Sequence, residues 1–308
     1  MAVSVLDKQV EKRSARSANE VREERIAFGL IVPSIIIPTF LMAAFIFGVW
    51  MSFTNWRLTT GFMGVAGLAN YERILGDSKF WHAVRLTFGF AVVDVPIQLV
   101  LGLGLALALN ERIKGQQFFR SMLIVPLMTP PVVGSMFWRV LMRPTGGGIF
   151  NFILAQFGIP PQGFLGSPEQ VLPSLLLIDV WLYTPFVATI LLAGLQSLPR
   201  DPYESALVDG ANSFQCFRYI TLPLLVPFFI VVLFFRSIDA LNVFDTIYGT
   251  TSGGPGIASR FMTFMGFEEA FPWYNLSIGI SVLVFLWAAC MLIGYLLYRW
   301  VKSSQAEM

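Results

Sequence analysis

Six apolar stretches, over roughly residues 27–50, 83–109, 118–141, 172–197, 219–243 and 277–299, are each long enough to cross a bilayer. No other feature restricts this chain so strongly. A spanning helix needs about 20 mostly apolar residues, and lipid admits only segments that close their own backbone hydrogen bonds. Of the 308 residues, 56% are hydrophobic and 13% charged, and the mean hydropathy is +0.68, values that do not suit a water-facing surface. The expected fold is an all-α integral membrane protein with six transmembrane helices over 26–300. A polar segment, 1–25, precedes it, and a short tail, 301–308, follows.

An even number of spans places both termini on one side. Residues 1–25 hold Lys8, Lys12, Arg13, Arg16, Arg22 and Arg25 and no apolar run, which predicts an uncleaved first span rather than a cleaved signal peptide. With the N-terminus inside, 13 Lys and Arg residues fall on the inner side and 6 on the outer, the bias of the positive-inside rule. Both termini, and the loop around 201–210, are therefore expected in the cytoplasm. A net charge of +2, spread around the membrane, leaves no nucleic-acid footprint. Cys216 and Cys290 read as small apolar fillers, and His82, the only histidine, has no second histidine with which to hold a metal.

The outer loops, over 51–82, 142–171 and 244–276, are rich in Gly and Pro, as at Pro160-Pro161 and Gly253-Gly254-Pro255-Gly256, and such loops can meet an external partner. The first is long enough for a short helix around Leu68 to Arg73. Prolines within the spans, among them Pro33, Pro38, Pro96, Pro126, Pro130, Pro131, Pro185, Pro223 and Pro227, bend helices. Bent helices suit a bundle around a cavity, and equally the ordinary packing of membrane helices.

The inner loop from Asp201 to Pro223 carries the most specific chemistry. Asp201 can cap a helix N-terminus, Pro202 suits the first helical position, and Glu204 sits at the third. Gly210 can adopt the left-handed conformation that ends a helix, so about two helical turns are expected between them. A helix this short is marginal in water and needs a partner to stay formed. On it Glu204, Val208 and Ala211 share a face, while Ala206 and Gly210 offer small surfaces for close approach.

Glu204-Ser205-Ala206, then Gly210, then nine residues on Ile220-Thr221-Leu222-Pro223, resembles the EAA loop of binding-protein-dependent ABC importer permeases, with Ser205 departing from the family's alanine. The resemblance implies a type I ABC importer permease whose coupling helix, 202–210, docks onto a cytoplasmic ATPase through Glu204, Ser205, Ala206, Asp209 and Gly210. Gly67-Leu68-Ala69-Asn70-Tyr71 with Phe80-Trp81, Asn242 to Tyr248, and Thr251-Ser252-Gly253-Gly254-Pro255 resemble the carbohydrate branch, and within it the permease that pairs with a distinct second permease in maltose-type and glycerol-3-phosphate-type importers. The resemblance implies as partners that second permease, two copies of an ABC ATPase and an extracytoplasmic solute-binding protein, in a bacterial inner membrane. It also implies that ATP and Mg are bound by the ATPase and that this chain binds no cofactor and catalyses nothing. No Gly-rich Lys loop of the nucleotide-binding type occurs in the chain.

Polar residues within spans are costly and face a partner or a watery cavity. The candidates for the solute path are Asp94, Gln98, Asp179, Tyr183, Arg236, Asp239 and Asn242. Asp94 with Gln98 and Asp179 with Tyr183 stand four residues apart, and Arg236 with Asp239 three, each pair on one helical face. Trp138, Trp181, Tyr183 and Phe235 offer aromatic faces to a sugar. Two alternatives stay open for the charges: Arg236 and Asp239 neutralise each other inside the bundle, or an unpaired Arg236 favours an anionic sugar. An importer for amino acids or peptides would share the coupling loop. An integral membrane enzyme using Asp94, Asp179 or Asp239 would require a nucleophile or metal constellation that the sequence lacks.

Overall fold

The computed structural model describes residue 29 and residues 34–111, 115–144 and 147–306. The expectations for residues 1–25, for Pro33 and for the last two residues of the tail fall outside them. Two compact units divide the chain, Met1–Ser52 and Phe53–Met308.

In the first unit, helix α1 (Ser34–Ser52) is long and apolar enough to span a membrane. Ile37, Phe40, Leu41 and Phe47 along it are exposed, as befits a helix that is apolar all round.

The second unit opens with an antiparallel hairpin, β1 (Thr54–Arg57) and β2 (Gly61–Val65), in which Trp56 faces Phe62. The sequence reading did not foresee it. Its connection to the rest is polar: Asn70 Nδ2 donates to Thr54 O (2.8 Å), and Trp56 N donates to Ser277 Oγ (2.8 Å). The expected short helix follows as α2 (Ala69–Leu75). Four long elements then build the bundle: α3 (Ser78–Asn110), α7 (Val171–Ser197), α10 (Leu222–Leu241) and α13 (Leu276–Ala306). At 33 residues, α3 is about 50 Å long at 1.5 Å per residue and overreaches a hydrocarbon core of about 30 Å.

Between α3 and α10 in sequence come α4 (Gln116–Met128), α5 (Pro131–Leu141), α6 (Ile149–Gln156), α8 (Asp201–Val208) and α9 (Ser213–Cys216); α11 (Asp245–Thr250) and α12 (Met262–Ala270) precede α13. The span expected over 118–141 is bent rather than straight, because α4 and α5 meet at 99°. Pro130 and Pro131 supply no N–H to a continuing helix, and a residue before proline is pushed out of the helical region. Thr129 and Pro130 accordingly have extended ψ values of 123° and 129°. Among the described residues, five helices are thus long and apolar enough to span, or six when the bent pair counts as one. The loops expected at 142–171 and 244–276 hold short helices, α6 in the first and α11 and α12 in the second.

Helices α3 and α7 run parallel: Phe90 clusters with Val171 and Leu175 near their starts, and Ala106 with Val187, Leu191 and Leu195 near their ends. Helix α10 returns between them, placing Leu225 in the second of these clusters and Ala240 and Leu241 beside Ala91, Val95 and Val282. Lipid is as apolar as these side chains, so close packing rather than water exclusion holds such helices together. Gly102 is the closest point, since a Cβ there would stand 2.5 Å from Val187 Cγ1.

Candidate functional site

The crossing of α3, α7 and α10 holds four of the predicted residues in one buried cluster. Asp94, Gln98 and Asp179 are 0% exposed and Arg236 1%, so solvent takes no part in their balance. Arg236 Nη2 donates to Asp179 Oδ2 (2.9 Å) and to Asp94 Oδ2 (3.1 Å), and its Nε donates to Gln98 Oε1 (2.6 Å). Gln98 Nε2 in turn donates to both Asp94 oxygens (2.9 Å each) and to Asp179 Oδ2 (3.2 Å). An amide can accept from the guanidinium through its oxygen and donate to the carboxylates through its nitrogen at once. The Tyr183 ring lies under the guanidinium, with Arg236 Cζ 4.2 Å from its centroid, a cation–π arrangement. Asp179 Oδ1 and Arg236 Nη1 have no hydrogen-bond partner.

Arg236 keeps the expected pairing with Asp239, as the longest of its ion pairs. Their contact is 3.5 Å, and Asp239 is 53% exposed. Two carboxylates on other helices lie closer to the guanidinium, and α10 carries Asp239 one turn on, toward the surface.

Beyond the cluster, Tyr183, Asp239 and Asn242 line an open concavity of about 330 Å³ together with Val243, Phe244, Asp245 and Thr246. Asn242 Nδ2 donates to Ile238 O (2.8 Å). Asp245 opens α11 and was not among the sequence candidates, although it lies in the same Asn242 to Tyr248 segment. The other expected aromatic faces are elsewhere. Trp138 and Trp181 pack edge to face at 5.6 Å around Ile178 and Leu182, and Phe235 lines an apolar groove with Leu297 and Tyr298.

At the opposite end of α7, the loop is two short helices rather than one. In α8, Arg200 occupies the N-cap position without a side-chain cap bond, and its carbonyl accepts from Tyr203 N (2.9 Å) and Glu204 N (3.1 Å). Asp201 is therefore the first helical residue rather than the cap, Pro202 the second and Glu204 the fourth. The C-terminus behaves as expected: Gly210 has φ +78°, Gly210 N bonds Leu207 O (3.1 Å) and Ala211 N bonds Ala206 O (2.9 Å), the pattern of a Schellman end. Ala211 thus lies beyond the helix and shares no helical face with Glu204 and Val208. Asn212 and Gln215 then form a reciprocal capping box that starts α9. That signal stands in the sequence as Asn-x-x-Gln, between Gly210 and Ile220. A π-helical turn, Phe217–Thr221, leads into α10, and Tyr203 Oη lies 3.0 Å from Thr221 Oγ1, fastening α8 to it. Glu204, Ser205, Asp209 and Gly210 are exposed and Ala206 is half-buried. Around them Leu207, Val208, Phe214 and Tyr219 are also exposed.

At the end where α3 begins, a polar concavity of about 440 Å³ includes Arg73, Asp77, Lys79, Arg260, Glu268 and Glu269. Arg260 pairs with Glu268 across it. His82 Nε2 lies 3.1 Å from Ile257 O, and no group of three potential metal ligands occurs among the described residues.

Residues 98–306 match the family described as the binding-protein-dependent transport system inner membrane component. The trehalose/maltose transport system permease protein MalF of Thermococcus litoralis is 39% identical over 281 residues, covering 89% of this chain and 94% of that protein. The trehalose transport system permease protein SugA of Mycobacterium tuberculosis is 31% identical over 300 residues, covering 94% of each. Among solved structures, a chain of a bacterial ABC transporter involved in the import of the acidic polysaccharide alginate superposes with a TM-score of 0.82 at 21% identity, over 94% of this chain and 99% of that one. At that identity the likeness speaks for the fold.

Proposed function

The chain belongs to the family of binding-protein-dependent transport system inner membrane components, and from that premise we propose that it is the permease subunit of an ATP-driven ABC importer for a sugar. It works beside a second, homologous permease and two copies of an ATPase, and a solute-binding protein delivers the sugar from outside. ATP and Mg belong to the ATPase chains, and this chain contributes movement between inward-facing and outward-facing states. The loop around Asp201 lies in the cytoplasm with both termini, in keeping with the excess of Lys and Arg on that side.

The observation that carries this reading is the build of the α8–α9 loop. A Schellman end and a capping box fix two short helices in water, where helices of 8 and 4 residues do not persist unaided. The loop then exposes Leu207, Val208 and Phe214. An exposed apolar surface on a rigid frame has a use when a partner covers it. Glu204, Ser205, Ala206, Asp209 and Gly210 form the polar and small part of the same surface, the part on which the ATPase seats. The sugar reading draws on the transport named for the relatives and on the concavity lined by Tyr183, Asp239 and Asn242, whose hydroxyl, carboxylate and amide groups suit a polyol. Asp94, Gln98, Asp179 and Arg236 act in this scheme by fixing three helices against each other.

The test co-expresses this chain with the partner permease, ATPase and binding protein. Val208→Asp or Gly210→Pro is expected to leave the permease in the membrane while the co-purified ATPase falls at least about tenfold, which corresponds to roughly 1.4 kcal/mol of docking energy. Full assembly and normal sugar uptake by both variants would remove the loop from the mechanism.

A further inference from the structure

We infer that the concavity at the end of α10 takes an uncharged or cationic sugar and rejects anionic ones, and that Asp239 and Asp245 make the selection. The inference rests on the reading of this concavity as the solute-facing site and adds the charge class of what it accepts. Arg236 is the nearest cation, and a ligand does not reach it. The guanidinium is 1% exposed and is engaged by Asp94 on α3 and Asp179 on α7. The condition on which recognition of an anion depended, an unpaired Arg236, is therefore not met.

The groups that do face the open space carry the opposite sign. Among the described residues no Lys, Arg or His lines it, whereas Asp239 on α10 and Asp245 on α11 do. Asp239 is 53% exposed, and its one ion pair among the described residues is the 3.5 Å contact with Arg236. Asp245 has no ion pair among the described residues. Carboxylates accept hydrogen bonds from sugar hydroxyls, and ionised acceptors make the stronger bonds. A ligand carboxylate or sulfonate must instead approach like charges, the repulsive element that specificity requires. The inference separates this chain from the alginate importer that shares its fold, whose cargo is an acidic polysaccharide.

The experiment measures binding to the purified permease–ATPase complex without binding protein, so that the delivery step does not filter the probes. Maltose, its aldonic-acid counterpart maltobionate, and the disaccharide of glucosamine are each titrated by saturation-transfer NMR. Maltose and the glucosamine disaccharide are expected to bind, with maltobionate at least about tenfold weaker, a ratio that Asp239→Asn with Asp245→Asn narrows to about twofold. Equal binding of maltose and maltobionate to the unaltered complex overturns the charge selection, as does a ratio unmoved by the double variant, and both leave the solute-facing reading standing. The first comparison needs no variant, so a misfolded mutant cannot shelter the inference. A failure of all three probes to bind, or maltose binding unchanged in Asn242→Leu, removes the solute-facing reading itself, and the inference with it.

Discussion

One turn of α10 separates two polar regions built from the same residue types. At Arg236 the helix enters a sealed cluster with Asp94, Gln98 and Asp179; at Asp239 and Asn242 it reaches an open concavity. Carboxylates and amides occur in both, yet the first region is sealed from solvent and the second is open. Burial, rather than residue identity, divides a structural role from a binding one. The same division appears between helices and loop: α3, α7 and α10 hide their polar groups against each other, while α8 and α9 expose apolar ones.

The comparison breaks most visibly at Arg236. Arg236→Met leaves two buried carboxylates facing one another without their cation, and removing one side of a buried pair costs about 3–5 kcal/mol. Thermal unfolding of the purified complex in detergent, followed by size-exclusion chromatography, should show a large loss of stability. The triple variant Asp94→Asn, Asp179→Asn, Arg236→Met should recover most of it, because exchanging a whole buried ion cluster for neutral groups is often close to neutral. Should Arg236→Met instead unfold at the normal temperature and alter only which sugars bind, the cluster belongs to the solute site and the division fails.

A smaller effect is expected at Gln98, the member that links both charges. Gln98→Leu deprives Arg236 Nε of its 2.6 Å acceptor and both carboxylates of a donor, and leaving buried groups unsatisfied costs about 1–3 kcal/mol each. Gln98→Glu sharpens the point, since a third carboxylate accepts from Arg236 but donates nothing to Asp94 and Asp179. Both variants should be less stable than the parent in the same unfolding assay. A Gln98→Glu protein as stable as the parent would show that donation by the amide is dispensable.

Much of this was legible in the sequence, at the scale of a single helix. Length and hydropathy marked all the spans, and spacing put Asp94 beside Gln98 and Arg236 beside Asp239, because helical faces repeat locally. What spacing cannot carry is the partner on another helix: Arg236 meets Asp179 across 57 positions and Asp94 across 142. The paired prolines at 130 and 131 were read as bends within a span, whereas two consecutive residues without N–H turn the chain by 99°. Gly-rich flanks hid the hairpin, α6, α11 and α12, whose apolar runs are too short to show a period. In the α8–α9 loop, Gly210 ends the helix as its sequence position implies, because a left-handed residue is a local property. The start of α8 was misplaced by one residue because the cap there is a backbone carbonyl, which every residue has.

The smallest expected effect on stability tests the open side of the comparison. Asp239 is 53% exposed and touches Arg236 at 3.5 Å, and an ion pair with one member in solvent is worth about 0–1 kcal/mol. Asp239→Asn keeps the shape and one acceptor, so its unfolding should stay within about 0.5 kcal/mol of the parent, the range of ordinary surface substitutions. Sugar uptake should change nonetheless, because the variant weakens an acceptor aimed at the ligand. The pairing of an unmoved stability with a moved uptake is what separates the two regions. A large loss of stability in Asp239→Asn would mean that the contact with Arg236 holds the crossing together, and that the boundary of the sealed cluster lies one turn farther along α10.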